Sequence, residues 1–323
     1  PVYHYLLVPS IAVFGLIEFG IRFPSALLGT LTVFIFFKLV QQFTKNTNLA
    51  IFSAFFLAIS AWHIQFSRAG FESTVGLFFV VAGLYLFTIW KDSPKPIFFT
   101  LSMISFILSM YSYHAYRIFI PLLVITLIFF NFKILKKVIR NVVLPSVLSL
   151  ILLIPLILFT FSQEGRARAI SQSAFHKEEV EQKRIDYDQK SKKPLRFLSK
   201  YLYQEPIYFA YTATQNYSDH FSPVFLFFRG DQIGRHSQID MGQIHYFEAI
   251  LILFSIFSFK NLTPDAKKIM LVMLLLSPIP ATIVQPSPHA YRTLQMSIPL
   301  AFFSGLGAYF IFFKNGSHTI KLL

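Results

Sequence analysis

The sequence predicts an all-α, polytopic transmembrane helical bundle with one large extracytoplasmic loop, and three observations carry that expectation. Hydrophobic residues make up 54% of the 323 and charged residues 14%, where a soluble domain of this length carries nearer a quarter charged residues. Apolar runs long enough for the hydrocarbon core, roughly 20 residues and about 17 at the short end, recur along most of the chain. Between them, Lys-rich connections alternate with connections holding single Arg, His and Glu residues.

Taken in order, segment 3–17 is apolar but short and carries Pro9. It reads as an interfacial helix, a re-entrant piece or the remnant of a longer span. Spans follow at 23–43, 48–66, 71–90, 97–114, 117–132, 141–161, 244–259, 267–284 and 293–313, about nine in all. One set of connections carries Lys38 and Lys45; Lys91 and Lys95; Lys133, Lys136, Lys137 and Arg140; Lys260, Lys267 and Lys268; Lys314 and Lys321. The positive-inside rule places these in the cytoplasm. The formal charge of +14 is then largely topological, and a nucleic-acid partner is not expected.

The long segment 162–243 falls on the opposite side. Its first half is dense in both charge signs and reads as solvated and partly helical. Its second half holds Tyr201, Tyr203, Tyr208, Tyr211 and Tyr217 among turn residues, which suits a cap on the membrane surface. Those tyrosines read as an interface belt or as stacking platforms for sugar rings. The expected layout is a transmembrane part over 1–161, an extracytoplasmic loop over 162–243 and a second transmembrane part over 244–323. The chain has no Cys, which excludes disulfides, thiolate metal sites and Cys nucleophiles. It begins at Pro1 rather than Met, and is expected to be a fragment.

The outer connections hold the chemistry. Arg68 and Glu72 are spaced i,i+4, and His114 and Arg117, like His289 and Arg292, are spaced i,i+3; on a helix each pair shares a face. The tetrapeptide His-Ala-Tyr-Arg occurs twice, at 114–117 and 289–292. Convergence on one environment explains this as well as an ancient repeat does. Arginine suits phosphate, because its planar fork donates two parallel hydrogen bonds and stays charged. Arg68, Arg117 and Arg292, with His114 and His289, therefore read as a site for a phosphate at headgroup depth. The plain alternative is that such arginines anchor helix ends, which is the better reading for Arg22 beside Pro24; Arg68 and Glu72 can also simply pair.

Glu72 is the carboxylate set among these candidates and the weak candidate for a catalytic role. In the loop, the run Phe227-Phe228-Arg229-Gly230-Asp231-Gln232-Ile233-Gly234-Arg235-His236 combines turn glycines with Asp231, Arg235 and His236. It reads as a substrate-facing loop or as a surface turn. No nucleotide-binding glycine loop appears, so a nucleotide-sugar donor is not supported. No His/Asp cluster has zinc spacing, so no metal site is expected; no cofactor is assigned, and a divalent cation is left open.

These residues carry a resemblance. Phe19-Gly20-Ile21-Arg22-Phe23-Pro24-Ser25-Ala26-Leu27-Leu28-Gly29 resembles the entry to an early span of the GT-C glycosyltransferases, in the protein O-mannosyltransferase and aminoarabinose transferase branch, glycosyltransferase family 39. Trp62-His63-Ile64-Gln65-Phe66-Ser67-Arg68-Ala69-Gly70-Phe71-Glu72 is similar to that family's outer turn with an Arg and a Glu. Pro288-His289-Ala290-Tyr291-Arg292 resembles a late outer-face motif of its bacterial members, and Asn216 to Gly242 is similar to a stretch in uncharacterised ones.

The resemblance implies an integral-membrane glycosyltransferase. Its partners would be the lipid bilayer, a polyprenyl-phosphate-linked sugar as donor, and an acceptor glycan, lipid or protein outside the cytoplasm, most naturally at a bacterial cytoplasmic membrane. It also implies a catalytic acid in a first outer loop upstream of Pro1, so none is named here. Two alternatives stay open: a ligase or polymerase of lipid-linked glycans, and a transporter or flippase. The second fits less well, because transporters gather polar groups near the bilayer midplane and these charges sit at one face.

Overall fold

The structure is a computed structural model and describes residues 2–171, 173–175, 177–190, 204–238 and 241–315. Pro1, Tyr201, Tyr203, Asp240 and Lys321 lie outside the described residues. Among the described residues the fold is all-α, with one isolated β-bridge between Ser173 and Val284.

The first half is a run of helices: α1 (Val2–Phe14), α2 (Glu18–Thr44), α3 (Thr47–Ile59), α4 (Ala61–Arg68), α5 (Glu72–Asp92), α6 (Pro96–Ser112), α7 (Tyr116–Lys137) and α8 (Ile139–Thr160). Their ends follow from local chemistry. The Asn46 side chain accepts from the Leu49 amide at 3.0 Å and starts α3, satisfying a donor that has no partner inside the helix. The Ser60 hydroxyl does the same for the His63 amide at 3.4 Å, and there the chain bends by 56° between α3 and α4. The long loop contributes α9 (Gln163–Ser171), α10 (Lys177–Lys190), α11 (Glu205–Asp219) and a π-helical turn, Val224–Phe228. Then come α12 (Tyr246–Phe259), α13 (Pro264–Leu276), the short α14 (Ile279–Thr282), a 3-10 segment (Ala290–Met296) and α15 (Ser297–Tyr309).

Against about nine expected spans, five described helices are long and apolar enough to cross a membrane, or six if the bent pair α3–α4 counts as one. The five are α2, α5, α7, α8 and the continuous stretch Ala290–Phe313. The expected spans at 97–114 and 244–259 are helices of 17 and 14 residues. The one at 267–284 breaks after Leu276, ahead of Pro278 and Pro280, where proline removes amide donors and ends the helix.

Burial separates the centre of the bundle from its rim. The apolar stretch of Ala290–Phe313 is 72% buried and that of α8 only 17%. Leu144, Leu150, Ile151 and Leu158 of α8 face outward, as a helix solvated by lipid tails would have them. The central α15 is admitted by small residues. A Cβ at Gly305 would fall on the Ser53 backbone of α3, and one at Gly307 on the Leu251 carbonyl of α12. Close backbone approach of this kind is how helices associate where lipid removes the hydrophobic drive.

Three of the Lys-rich connections meet at one end of the bundle. Lys45 pairs with Asp92 at 3.1 Å and Lys91 with Asp265 at 2.5 Å, which gathers three of the Lys-rich connections. At the other end the loop is docked on the helix ends. The Trp62 amide donates to the Gln243 carbonyl at 3.1 Å, the Gln65 side chain to the Arg235 carbonyl at 3.2 Å, and the Asn216 side chain to the Thr282 carbonyl at 2.9 Å.

Candidate functional site

The loop run Arg229–His236 folds as a tight turn whose charged residues divide between inside and outside. Gly230 begins it with φ +68°, a left-handed conformation that costs a residue bearing a Cβ about 1–2 kcal/mol. A Cβ there would also crowd the Met241 carbonyl and the Gln243 side chain. The turn sends Asp231 and His236 inward and leaves Arg235 exposed.

Asp231 is held from several directions. Its Oδ1 accepts from the Ile233 amide at 2.8 Å, and its Oδ2 accepts from the Ala290 amide at 2.7 Å. His236 Nδ1 lies 3.1 Å from Oδ2 and His289 Nδ1 3.7 Å from it. Burial works against the charged carboxyl, but the hydrogen bonds from His236 and the Ile233 amide, the His289 ring and the Ala290 amide outweigh it and hold Asp231 below the usual carboxylate range. His289 is pushed down to about 3, by burial first and by the neighbouring Arg292 charge second, with Asp231 opposing. It is a neutral imidazole at physiological pH.

A second histidine locks this arrangement. His220 Nδ1 faces the Asn216 carbonyl at 2.7 Å, and its Nε2 accepts from the His289 amide at 3.0 Å. Burial lowers His220 to about 4, in keeping with the neutral acceptor that this bond requires. The Trp62 indole donates to the Ala290 carbonyl at 3.0 Å. The backbone of 289–290 is thereby clamped between α4 and the long loop.

The two His-Ala-Tyr-Arg copies converge but fold differently. The first straddles the start of α7, and the second opens the 3-10 segment Ala290–Met296. A common fold for the two would be needed for a repeat of structure, and they do not share one. What they share is a cavity of about 320 Å³, lined by His114, Arg117 and Arg292 together with Phe159, Phe175 and Ile283. Arg292 is 6% exposed and lies beside Tyr113. Arg117 is half-buried, with its guanidinium 5.5 Å from the centre of the Phe159 ring. Two cations in an otherwise apolar cleft favour an anionic group on an apolar body.

Of the other expected residues, His289 sits with Asp231 and His236 rather than in this cavity. Arg68 lines a separate groove of about 690 Å³ between α2, α3 and α4, walled by Val33, Phe34, Phe37 and Phe55. Arg68 donates to the Gln65 side chain at 2.8 Å, and Glu72 lies 4.0 Å from His4. No Arg68–Glu72 ion pair occurs among the described residues. Arg22 pairs with Glu18 at 2.5 Å on the surface, as an anchoring residue would.

Sequence reasoning passed over Tyr113, His220 and Tyr291. Tyr291 packs between Phe66, with ring centres 5.5 Å apart, and Tyr113, at 4.3 Å. The tyrosine inside each His-Ala-Tyr-Arg copy was a visible signal for this aromatic seam. A lone His220 in a long loop offered none.

Residues 1–159 match the family model for dolichyl-phosphate-mannose-protein mannosyltransferases. The match ends at the close of α8, so it includes His114 and Arg117, while Asp231, His236, His289 and Arg292 lie beyond it. A relative described as an uncharacterized protein of Aquifex aeolicus (strain VF5) is 29% identical over 105 residues. That alignment takes in 32% of this chain and spans only 21% of the relative's length. No solved structure matches the chain.

Proposed function

We propose that this chain is part of an integral-membrane glycosyltransferase that moves a sugar from a polyprenyl-phosphate carrier to an extracytoplasmic acceptor, with the phosphate seated between Arg117 and Arg292. The observation that carries the reading is the shared cavity. Two arginines 175 residues apart, which is 292 minus 117, line one apolar cleft together with His114. The family match over residues 1–159 supports a lipid-linked donor.

The chemistry follows from the geometry. The leaving group in such a transfer is a phosphate that gains charge as the glycosidic bond breaks. Positioned cations in a cleft of low dielectric stabilise that charge more than water does. Arg292, buried beside Tyr113, supplies one charge, and the half-buried Arg117 supplies the other. The apolar walls take the first isoprene units. Arg68 and the groove beside α4 give the prenyl chain a further path along the bundle, and the exposed Arg235 faces the acceptor side. The loop 162–243 lies outside the cytoplasm, in keeping with the segregation of lysines to the opposite end, and the membrane is a bacterial cytoplasmic membrane.

The test is transfer from a panel of radiolabelled polyprenyl-phosphate sugars, with retention of the unglycosylated polyprenyl phosphate measured in parallel. Label that moves with the wild-type protein and is lost in Arg117→Gln and Arg292→Gln supports the reading. A folded protein that neither transfers label nor retains polyprenyl phosphate overturns it and moves the assignment to a transporter or to an unrelated ligase.

A further inference from the structure

We infer that Asp231, His236 and His289 bind one divalent transition-metal ion of the zinc class. The inference stands apart from the transferase reading, since it rests on the long loop and not on the arginine cavity.

The donors are correctly placed before any ion is considered. One candidate ligand atom from each residue lies within 4.8 Å of the other two. Asp231 Oδ2 is 3.1 Å from His236 Nδ1 and 3.7 Å from His289 Nδ1. Around a tetrahedral ion with bonds of about 2.0–2.1 Å, neighbouring ligand atoms stand about 3.4 Å apart. The two separations from Asp231 bracket that value, and the two imidazole donors lie within 4.8 Å of each other.

The donor set is selective. Two imidazoles and one carboxylate suit zinc and its neighbours, whereas calcium and magnesium ask for more oxygen atoms than one aspartate supplies. Three protein ligands leave a fourth position for a water molecule.

Burial gives a second, independent observation. The side chains of Asp231, His236 and His289 are 0%, 1% and 6% exposed. His289 Nδ1 is buried without a hydrogen-bond partner. Buried polar atoms are nearly always partnered, and an orphan calls for an explanation such as an ion. The Asp231 Oδ2 atom already accepts from the Ala290 amide and cannot serve both imidazoles well as a simple acceptor. An ion among the three gives His289 Nδ1 the partner it lacks and makes the near-parallel ring pair, 5.0 Å apart at 29°, a coordination geometry.

The surroundings are those of a held site. The Ile233 amide fixes the second carboxylate oxygen, His220 fixes the His289 backbone, and Thr293 donates to the His289 carbonyl at 2.9 Å. Outer partners of this kind orient ligands and tune affinity. Filled, the site would rivet the 231–236 turn to the 3-10 segment that carries Arg292. No local spacing announces the site, because His236 and His289 stand 53 positions apart (289 minus 236).

The test uses the untagged whole chain in detergent, stripped with a chelator, dialysed and titrated with zinc chloride. Metal content is read by mass spectrometry and stability by thermal melting. The expected result is about one zinc per chain, a melting point raised by zinc and lowered again by chelator, and loss of the ion in His236→Gln and His289→Gln. Cobalt(II) in its place should give the intense visible absorption of a tetrahedral site. The exposed His4→Gln should retain full binding. A folded wild-type protein that takes up no zinc or cobalt overturns the inference without reference to any variant. So does zinc that remains at full stoichiometry in both histidine variants.

Discussion

Replacing Arg292 or Arg117 by Gln tests whether the two arginines share one phosphate, and the structure sets the size of each effect. A hydrogen bond to a charged group contributes about 1.5–3 kcal/mol. Arg292 is buried beside Tyr113, so its charge is poorly screened; it belongs at the upper end. Arg117 is half-buried at the cavity mouth and belongs at the lower end. The affinity for a short prenyl phosphate should fall about 150-fold in Arg292→Gln and about 10-fold in Arg117→Gln. Because both would contact one group, the double variant should lose less than the product, with a coupling of at least about 0.5 kcal/mol. Arg292→Lys should recover only part of the loss, since it keeps the charge and not the fork. The assay is titration of farnesyl phosphate into protein held in lipid nanodiscs, with a melting curve for each variant. Losses that multiply without coupling would mean two separate sites. An affinity within twofold of wild type in a folded double variant would refute the shared phosphate altogether.

Other expectations concern the frame of the site and its topology. Asp231→Ala leaves two amides and the His236 imidazole without their acceptor inside the protein, and should cost about 3–5 kcal/mol, as removing one member of a buried pair does, read as a lowered melting point in chelator. Gly230→Ala meets both a left-handed backbone and the Met241 carbonyl, and should cost roughly 2–4 kcal/mol by the same measurement. Tyr116→Phe removes a buried bond from the hydroxyl to the Ser73 carbonyl at 2.9 Å and should cost about 1 kcal/mol, with little loss of packing. The chain has no Cys, so a single cysteine introduced at Gln182 should react with an impermeant maleimide added outside intact cells; labelling only after the membrane is opened would place the loop in the cytoplasm.

The sequence by itself determined the class of fold and the grouping of three of its Lys-rich connections. An apolar run records where a segment partitions, and partition is a local property; the runs at 23–43, 71–90, 117–132, 141–161 and 293–313 all became helices able to cross a membrane. Lysine segregation is local in the same sense, and the Lys45–Asp92 and Lys91–Asp265 pairs lie where the alternation puts them. Helix breaks were partly legible. Prolines at 278 and 280 end α13, but nothing in residues 48–66 announced a 56° bend at Ser60, because serine both caps helices and sits within them.

Lateral neighbours were decided only by the tertiary structure. In a bundle whose every face is apolar, the pattern of one helix does not say which other helix it meets. Contact is set by small residues that let backbones approach, such as Gly305 against Ser53 and Gly307 against Leu251. The pairing of the two His-Ala-Tyr-Arg copies at one cavity, and the removal of Arg68 to another, follow from that packing and not from spacing. The same holds for the turn at 229–236. Its residue types are those of an exposed turn, yet Asp231 and His236 are buried, because amides at 233 and 290 and the ring of His289 wait on the inner side to receive the carboxylate. Charge burial depends on partners supplied from distant parts of the chain, and the linear sequence does not show them side by side.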